Sequence, residues 1–143
     1  MKSEHQNTST PKELKQRLSA AGIQASAPRM AIAQYVWNTC SHPTAEEVKT
    51  EVEKTFPTVS LATVYNTLNL FVEKGLLKEV KEPGSPGTRY DCNTKPHFHF
   101  VDESSGEIMD LDPRVLRVVP DMSLLGKNFQ ITDIEVTLRG RKI

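Results

Sequence analysis

Two histidines and two aspartates in the middle of the chain have the types and the spacing that could bind a metal ion. His97 and His99 are separated by one residue, and Asp91 and Asp110 lie on either side of them. On an extended strand, residues two apart point to the same face, so both imidazoles would project together. Imidazoles and carboxylates without thiolates suit Fe(II) or Mn(II) better than softer metals. The pattern therefore predicts a mixed nitrogen and oxygen metal site.

The turn that follows the two histidines could complete this site. Residues 103–106, Glu-Ser-Ser-Gly, are typical of a tight turn, so residues 107–110 would fold back as the second strand of a hairpin. That return would bring Asp110 near the imidazoles. The alternative is an ordinary polar strand face that binds nothing, and a His-x-His pattern on its own more often marks such a face.

The length and charge of the chain limit its possible classes. Its 143 residues could form one domain or two small ones that share a dimer interface. A domain of half this length is marginally stable alone, so we expect oligomerisation. Eighteen basic residues balance eighteen acidic ones. Any binding to nucleic acid must therefore come from a local patch and not from the net charge.

The cysteines and the apolar segments point to the compartment. Cys40 and Cys92 are far apart and form no CxxC pair, which argues against a secreted fold stapled by disulfides. The first ten residues have no apolar core, unlike a signal peptide, and no apolar run approaches membrane-spanning length. We expect a soluble, cytoplasmic protein without a membrane partner.

Helix signals fill the first half of the chain, after residues 1–9, which are predicted to be a disordered lead. Capping boxes begin at Thr10 and Thr44, and Ser26 and Ser60 precede two further apolar periodic segments. Two short strand-like segments, 76–81 and 88–92, are joined by the proline- and glycine-rich residues 83–87. Four helices followed by a hairpin are typical of a winged helix-turn-helix. Residues 10–92 are therefore predicted to bind DNA, and a purely structural helical bundle is the alternative.

The fourth predicted helix carries side chains that suit the reading of DNA. Ala62, Thr63 and Asn66 lie away from its apolar stripe, and such residues can contact thymine methyl groups or pair with adenine. Tyr65 lies at the boundary and could equally be a core residue. Basic residues on the first two helices could hold phosphates. The predicted DNA-binding set is Lys15, Arg29, Ser60, Ala62, Thr63, Tyr65 and Asn66.

The remaining residues predict a second, smaller unit after a hinge at residues 93–96. Residues 97–143 indicate a strand, a hairpin, a helix near Pro113–Val119 and a strand at residues 130–138. A sheet this small has an exposed edge, so pairing with a second copy is expected. The predicted fold is α+β: an N-terminal winged helix-turn-helix domain and a small C-terminal α/β dimerisation domain.

With these motifs in order, the chain resembles the ferric uptake regulator family over nearly its whole length. The resemblance rests on PRMAIAQYVWNTCSHPTAEEV, on SLATVYNTLNLFVEKGLL and on RYD…HFHF…GEIMDL. Within the family, the chain is most similar to the peroxide-sensing PerR branch. That branch holds a regulatory metal on three histidines and two aspartates, which match His42, Asp91, His97, His99 and Asp110. The role of His42 follows from the resemblance alone.

Two features separate this chain from other members of the family. An aspartate at position 110 is typical of peroxide sensors, whereas iron sensors more often carry glutamate there. Most members hold a structural zinc on two CxxC pairs, but Asp102 and Ser105 occupy the first pair here and RGRKI ends the sequence. Because two cysteines cannot form a four-thiolate site, we expect no structural zinc. The dimer would be held by apolar packing and strand pairing instead.

The resemblance implies a dimeric, metal-dependent transcriptional repressor that senses hydrogen peroxide and is not an enzyme. Fe(II) would reduce peroxide and oxidise a histidine ligand, His42 or His97, whereas Mn(II) would resist oxidation and Zn(II) would be a non-physiological substitute. Neither cysteine is required for this response. The implied partners are a double-stranded DNA operator and a second copy of the chain.

Three other functions remain open at this point. The first is an iron-, manganese- or zinc-responsive regulator of the same family without peroxide chemistry. The second is a small non-haem iron enzyme that uses His97, His99 and one aspartate as a facial triad. The third is a metal-free winged-helix protein in which the histidines only line a strand.

Overall fold

The computed structural model describes residues 9–81 and 87–143. The predicted lead before residue 9 and residues 82–86 of the predicted loop lie outside the described residues. Contacts divide the chain into two compact units, Met1–Thr94 and Lys95–Ile143. Among the described residues, no helix is both long and apolar enough to cross a membrane.

The described residues form five helices and five strands. The helices are α1 Pro11–Ala20, α2 Ala27–Thr39, α3 Ala45–Val52, α4 Leu61–Glu73 and α5 Met122–Leu125. The strands are β1 Lys78–Val80, β2 Arg89–Asp91, β3 His99–Asp102, β4 Ile108–Asp110 and β5 Thr137–Gly140.

The four predicted helices of the N-terminal unit are confirmed, and they begin where the capping signals lie. The Thr10 hydroxyl accepts a hydrogen bond from the amide of Glu13, whose carboxylate accepts one from the amide of Thr10. The box at Thr44 is formed in the same way. Ser60 caps α4 by accepting a hydrogen bond from the Thr63 amide. Each cap satisfies backbone donors that a helix cannot satisfy internally.

Apolar faces of these helices form the core of the N-terminal unit. Phe71 of α4 is fully buried and packs against Trp37 of α2, with ring centroids 5.2 Å apart. Residues at helical spacing on α1 to α4 contribute the surrounding buried side chains, which include Leu14, Leu18, Ile32, Val36, Val48, Val64 and Leu68. The core therefore follows the 3.6-residue periodicity of the sequence.

A small sheet closes the N-terminal unit. Strands β1 and β2 pair antiparallel, with Lys78 opposite Asp91. The loop between α2 and α3 runs along the other side of β2, where Thr44 forms a bridge with Arg89 and the amide of Tyr90 donates to the carbonyl of Pro43 over 3.0 Å. The helices and this sheet together form a winged helix-turn-helix. The loop at residues 40–44 is thereby held beside β2.

The C-terminal unit contains a three-stranded sheet in the order β4-β3-β5. Strands β3 and β4 pair antiparallel through the turn at residues 103–106, which confirms the predicted hairpin. Strand β5 lies on the other side of β3 and runs parallel to it, with His99 opposite Thr137. The α+β class is therefore confirmed.

Two predictions for the C-terminal unit were wrong. Residues 113–119 form a turn and irregular structure instead of a helix. Val115, Val118 and Val119 are exposed, so no buried apolar face is present to stabilise a helix there. A four-residue helix forms later, at Met122–Leu125. The strand predicted for residues 130–138 is limited to Thr137–Gly140, because β3 offers pairing positions to those residues alone.

A carboxylate at the end of β3 stabilises the hairpin turn. Asp102 is buried, and its Oδ1 accepts hydrogen bonds from the amide of Ser104 over 2.9 Å and from its hydroxyl over 2.6 Å. Both hydrogen bonds lower the pKa of Asp102 from its ordinary value of 3.8, and the bond from the Ser104 hydroxyl has the larger effect. In most members of the family that the sequence resembles, this turn carries cysteines; here it is closed by oxygen and nitrogen groups.

Asp102→Asn is expected to remove an acid-sensitive part of the stability. A carboxylate whose pKa is lowered in the folded state stabilises the fold above its unfolded pKa, and this contribution is lost as the pH falls through the lowered value. The melting temperature of the wild type should therefore fall more steeply than that of the variant below about pH 4. Melting followed by circular dichroism from pH 7 downward measures this. Glu103→Gln, at an exposed neighbour, should keep the wild-type slope; equal slopes for all three proteins would contradict the role of Asp102.

Candidate metal centre

His42 and Asp91 form a close pair in the N-terminal unit. The His42 Nε2 atom lies 3.2 Å from Asp91 Oδ2, and both side chains are buried. Asp91 is the last residue of β2, whereas His42 lies in the loop held beside that strand. The Arg89 guanidinium donates to the His42 carbonyl over 3.0 Å, which adds a side-chain contact to the backbone pairing of the loop. Loop and strand together place one imidazole beside one carboxylate.

The backbone of this loop has an unusual conformation. Cys40 and His42 both have positive φ angles, 42° and 53°, in the left-handed region that residues other than glycine seldom adopt. Such conformations persist where surrounding contacts enforce them, and they cluster at functional sites. Here the enforcing contacts are the pairing with β2 and the hydrogen bond from Arg89.

Three further candidate ligands meet on the β3–β4 hairpin of the C-terminal unit. The register places His99 directly opposite Asp110. Asp110 Oδ1 lies 3.2 Å from the Nε2 atom of His97 and 3.4 Å from that of His99. The two imidazole rings are steeply inclined to each other, with centroids 4.5 Å apart. The predicted convergence of these three side chains is thus present, and we call them the hairpin triad.

The hairpin triad has the donor chemistry of a first-row divalent metal site. His97, His99 and Asp110 each offer one ligand atom, and these three atoms lie within 4.8 Å of one another. The His97 Nδ1 atom is 2.6 Å from the carbonyl oxygen of Lys95. A proton on Nδ1 would donate to that carbonyl and leave the lone pair of Nε2 for a metal, which is the usual arrangement behind a metal-binding imidazole. Two nitrogens and one carboxylate fit Fe(II), Mn(II) or Zn(II).

The structure brings three of the predicted DNA-binding residues together. Arg29, Thr63 and Asn66 line a groove with a volume of about 340 Å³ between the start of α2 and the first turns of α4. The Arg29 guanidinium donates to the carbonyl of Gln24 over 3.0 Å, which orients it at the rim. Ala62 is exposed on the same turns of α4. This surface combines a cation with short polar and methyl-bearing side chains.

None of the other four predicted DNA-binding residues lines this groove; they are Lys15, Ser60, Ala62 and Tyr65. Lys15 is exposed on α1. Ser60 is the N-cap of α4, and its hydroxyl accepts a hydrogen bond from the Thr63 amide. Tyr65 donates its hydroxyl to the Glu46 carboxylate over 2.8 Å. This hydrogen bond raises the pKa of Tyr65 and lowers the pKa of Glu46. Tyr65 therefore bridges α4 to α3, and its ring is half-buried.

Sequence reasoning missed one contact near the first ligand pair. Cys40 and Cys92 are joined by a disulfide, with Cα atoms 5.6 Å apart, a bond that was not predicted from the sequence. The cysteines are separated by 52 positions, and no motif links them. The pairing of Pro43 and Thr44 with β2 brings the two cysteines together. Only a prediction of that pairing could have found the contact from the sequence.

Comparison with known proteins identifies the family. The sequence profile of the Ferric uptake regulator family matches residues 20–139. The Peroxide operon regulator of Bacillus subtilis (strain 168) is 33% identical over 129 residues, which cover 90% of this chain and 88% of that protein. The resemblance inferred from the motifs is confirmed.

Solved structures agree with this assignment. The Campylobacter jejuni peroxide stress regulator is 25% identical, with a TM-score of 0.62 over 94% of this chain and 97% of that chain. The Vibrio cholerae ferric uptake regulator is also 25% identical, with a TM-score of 0.67 over 90% of this chain and 98% of that chain. The chain belongs to the ferric uptake regulator family of metal-responsive transcriptional regulators, and it is a regulator and not an enzyme.

Proposed function

We propose that this protein is a dimeric, metal-dependent repressor that senses hydrogen peroxide by oxidation of a histidine ligand. The observation that carries the proposal is the hairpin triad, in which one carboxylate oxygen faces two imidazole nitrogens. The similarity to named peroxide regulators supports the peroxide response. A protein of this kind would act in the cytoplasm, where its operator lies.

In the proposed metal-bound state, His42 and Asp91 complete the ligand set that the hairpin triad begins. The set would then contain three imidazoles and two carboxylates. Fe(II) or Mn(II) is the expected ion, because both accept mixed nitrogen and oxygen ligands, and Zn(II) would be a substitute. When bound, Fe(II) would supply the electrons that reduce peroxide, whereas Mn(II) would resist oxidation.

The side chains around the site have separate tasks in this proposal. The Lys95 carbonyl holds the His97 ring with Nε2 toward Asp110, and Arg89 holds the backbone of His42. An added oxygen on His42 or His97 would weaken that nitrogen as a ligand. Because one ion would join ligands from both units, its loss would free the winged unit to move. DNA binding would then be lost.

The DNA-binding surface would be the groove at α4 with its neighbours. Asn66, Thr63 and Ala62 would contact base edges in the major groove, and Arg29 would contact a phosphate. Lys15 could reach a second phosphate from α1. Tyr65 would contribute its exposed ring edge, since its hydroxyl is bound to Glu46. Ser60 would act by placing the first turn of α4.

The dimer surface would lie on the C-terminal unit. Large apolar side chains are exposed there, with exposed fractions of 77% for Val119, 86% for Leu124 and 63% for Phe129. Exposed apolar side chains gathered in one small unit are typical of a protein interface. We propose that a second copy covers them and that no structural zinc is needed, because apolar packing would hold the dimer.

Mass spectrometry after peroxide exposure tests the proposal. Protein loaded with Fe(II) should gain one oxygen on a peptide that contains His42 or His97, and it should lose affinity for its operator at the same time. The matched control is protein loaded with Mn(II), whose histidines should gain no oxygen and which should stay bound to DNA. Release from DNA without any histidine oxidation would contradict this mechanism and leave a regulator that senses only its metal.

A further inference from the structure

We propose that Cys40 and Cys92 are a second oxidation site, a thiol pair that a hydroperoxide converts into the disulfide. This site differs from the histidine ligands in its atoms and its chemistry. It needs no metal, and the disulfide can be reduced again by a thiol. The inference does not depend on the proposed function, because the thiol pair lies wholly within the winged unit.

The position of the two cysteines is suited to rapid closure. Their Cα atoms are 5.6 Å apart, within the range that a disulfide spans without movement of the backbone. The closeness of the two cysteines does not depend on the disulfide alone. The Tyr90 amide donates to the Pro43 carbonyl and Arg89 forms a bridge with Thr44, so the two segments are also held by backbone pairing. The two thiols of the reduced protein would therefore stay close to each other.

Both sulfur-bearing residues are within reach of a small oxidant. Cys40 and Cys92 are partly exposed, and Cys92 packs with its other side against the apolar core. A thiol buried completely would be inert, whereas a partly exposed one admits a hydroperoxide. These are also the two cysteines of the chain, so no third thiol competes for the exchange.

The reaction is balanced without a metal. One thiol attacks a peroxide oxygen, the O–O bond breaks, and a sulfenic acid and one water form. The second thiol then attacks the sulfenic sulfur, the S–O bond breaks, and the disulfide and a second water form. Two electrons pass from the two sulfurs to one hydrogen peroxide, and both thiol protons leave in water.

The disulfide would fasten the loop that carries His42. Cys40 lies two residues before His42, and Cys92 follows Asp91 directly. The covalent bond therefore ties together the two segments whose side chains form the close pair at 3.2 Å. In the reduced protein, the loop would keep its non-covalent contacts with β2 but lose the covalent link, and its left-handed residues could relax more readily.

The test uses full-length protein without metal, which separates this reaction from histidine oxidation. The protein is reduced with a phosphine, freed of reductant and metal with a chelator, and treated with hydrogen peroxide. Mass spectrometry should show the loss of two hydrogens, and a non-reducing peptide map should show a link between residues 40 and 92. Thiols that remain open to alkylation, or separate sulfinic and sulfonic acids at the two sites, would overturn the proposal.

A second readout tests the effect on the loop. Reduction should lower the melting temperature by about 10 °C, because it removes a cross-link across a long stretch of chain. Hydrogen exchange at the Tyr90 amide should become roughly tenfold faster, since that amide binds the loop. The variants Cys40→Ser and Cys92→Ser should have the melting temperature and the Tyr90 exchange rate of the reduced protein. Adding reductant should change neither value. Exchange that is equal in the oxidised and reduced proteins would refute the link to the loop.

Discussion

Replacing Asp110 with alanine is expected to weaken the binding of Mn(II) by roughly 100-fold or more. The carboxylate supplies one oxygen close to both imidazoles of the hairpin triad, at 3.2 Å and 3.4 Å. Its loss removes one ligand and one negative charge together. The proposed site would then keep three imidazoles and a single carboxylate, that of Asp91, which suits a hard divalent cation less well.

Isothermal titration of metal-free protein with Mn(II) measures this loss. The matched control is Asp112→Ala, because Asp112 lies two residues further along and its carboxylate binds the guanidinium of Arg114, which lowers the pKa of Asp112 to about 2. The control should keep the wild-type affinity, and both variants should melt like the wild type. Equal affinities for the Asp110 variant and the wild type would remove the hairpin triad from the metal site.

Replacing Phe71 with alanine is expected to cost about 3–5 kcal/mol of unfolding free energy, the usual range for a buried phenylalanine. The ring is fully buried and packs against Trp37, so its removal leaves a cavity among side chains that cannot collapse into it. A loss of this size is a large fraction of the stability of a small domain.

Urea unfolding, followed by tryptophan fluorescence, measures this cost because Trp37 reports directly on the cavity. Glu73→Ala is the matched control, since Glu73 is exposed near the end of the same helix. That control should change the unfolding free energy by less than about 0.5 kcal/mol. A similar small change for the Phe71 variant would mean that the core is not organised around α4.

The winged unit could be predicted from the sequence because its signals are local. The capping boxes at Thr10 and Thr44 and the apolar stripe of α4 each act within a few residues, and the structure follows them. The hairpin triad was also predictable, since the His-x-His spacing and the turn at residues 103–106 together fix which side chains meet. Backbone geometry over short distances carries this information.

The features that could not be predicted depend on contacts between distant segments. Nothing near Cys40 indicates that its loop lies beside β2, so the disulfide with Cys92 was missed. Apolar residues at Ile131 and Ile134 suggested a strand, but a strand needs a neighbour. The edge of β3 that does not pair with β4 pairs with residues 137–140 instead. His42 entered the candidate set through family resemblance, because a histidine in a short loop carries no local signal.

The parallel pairing of β5 with β3 has a consequence for the order of events during synthesis. The ribosome releases the chain from its amino end, and every strand partner described for the winged unit has emerged by residue 91. Strand β3 gains its second neighbour only when residues 137–140 appear. Until residues 137–140 appear, the nascent chain exposes one unpaired edge of β3, the strand that carries His99. A neighbouring chain being made on the same messenger RNA could form a strand pair with this edge before β5 does.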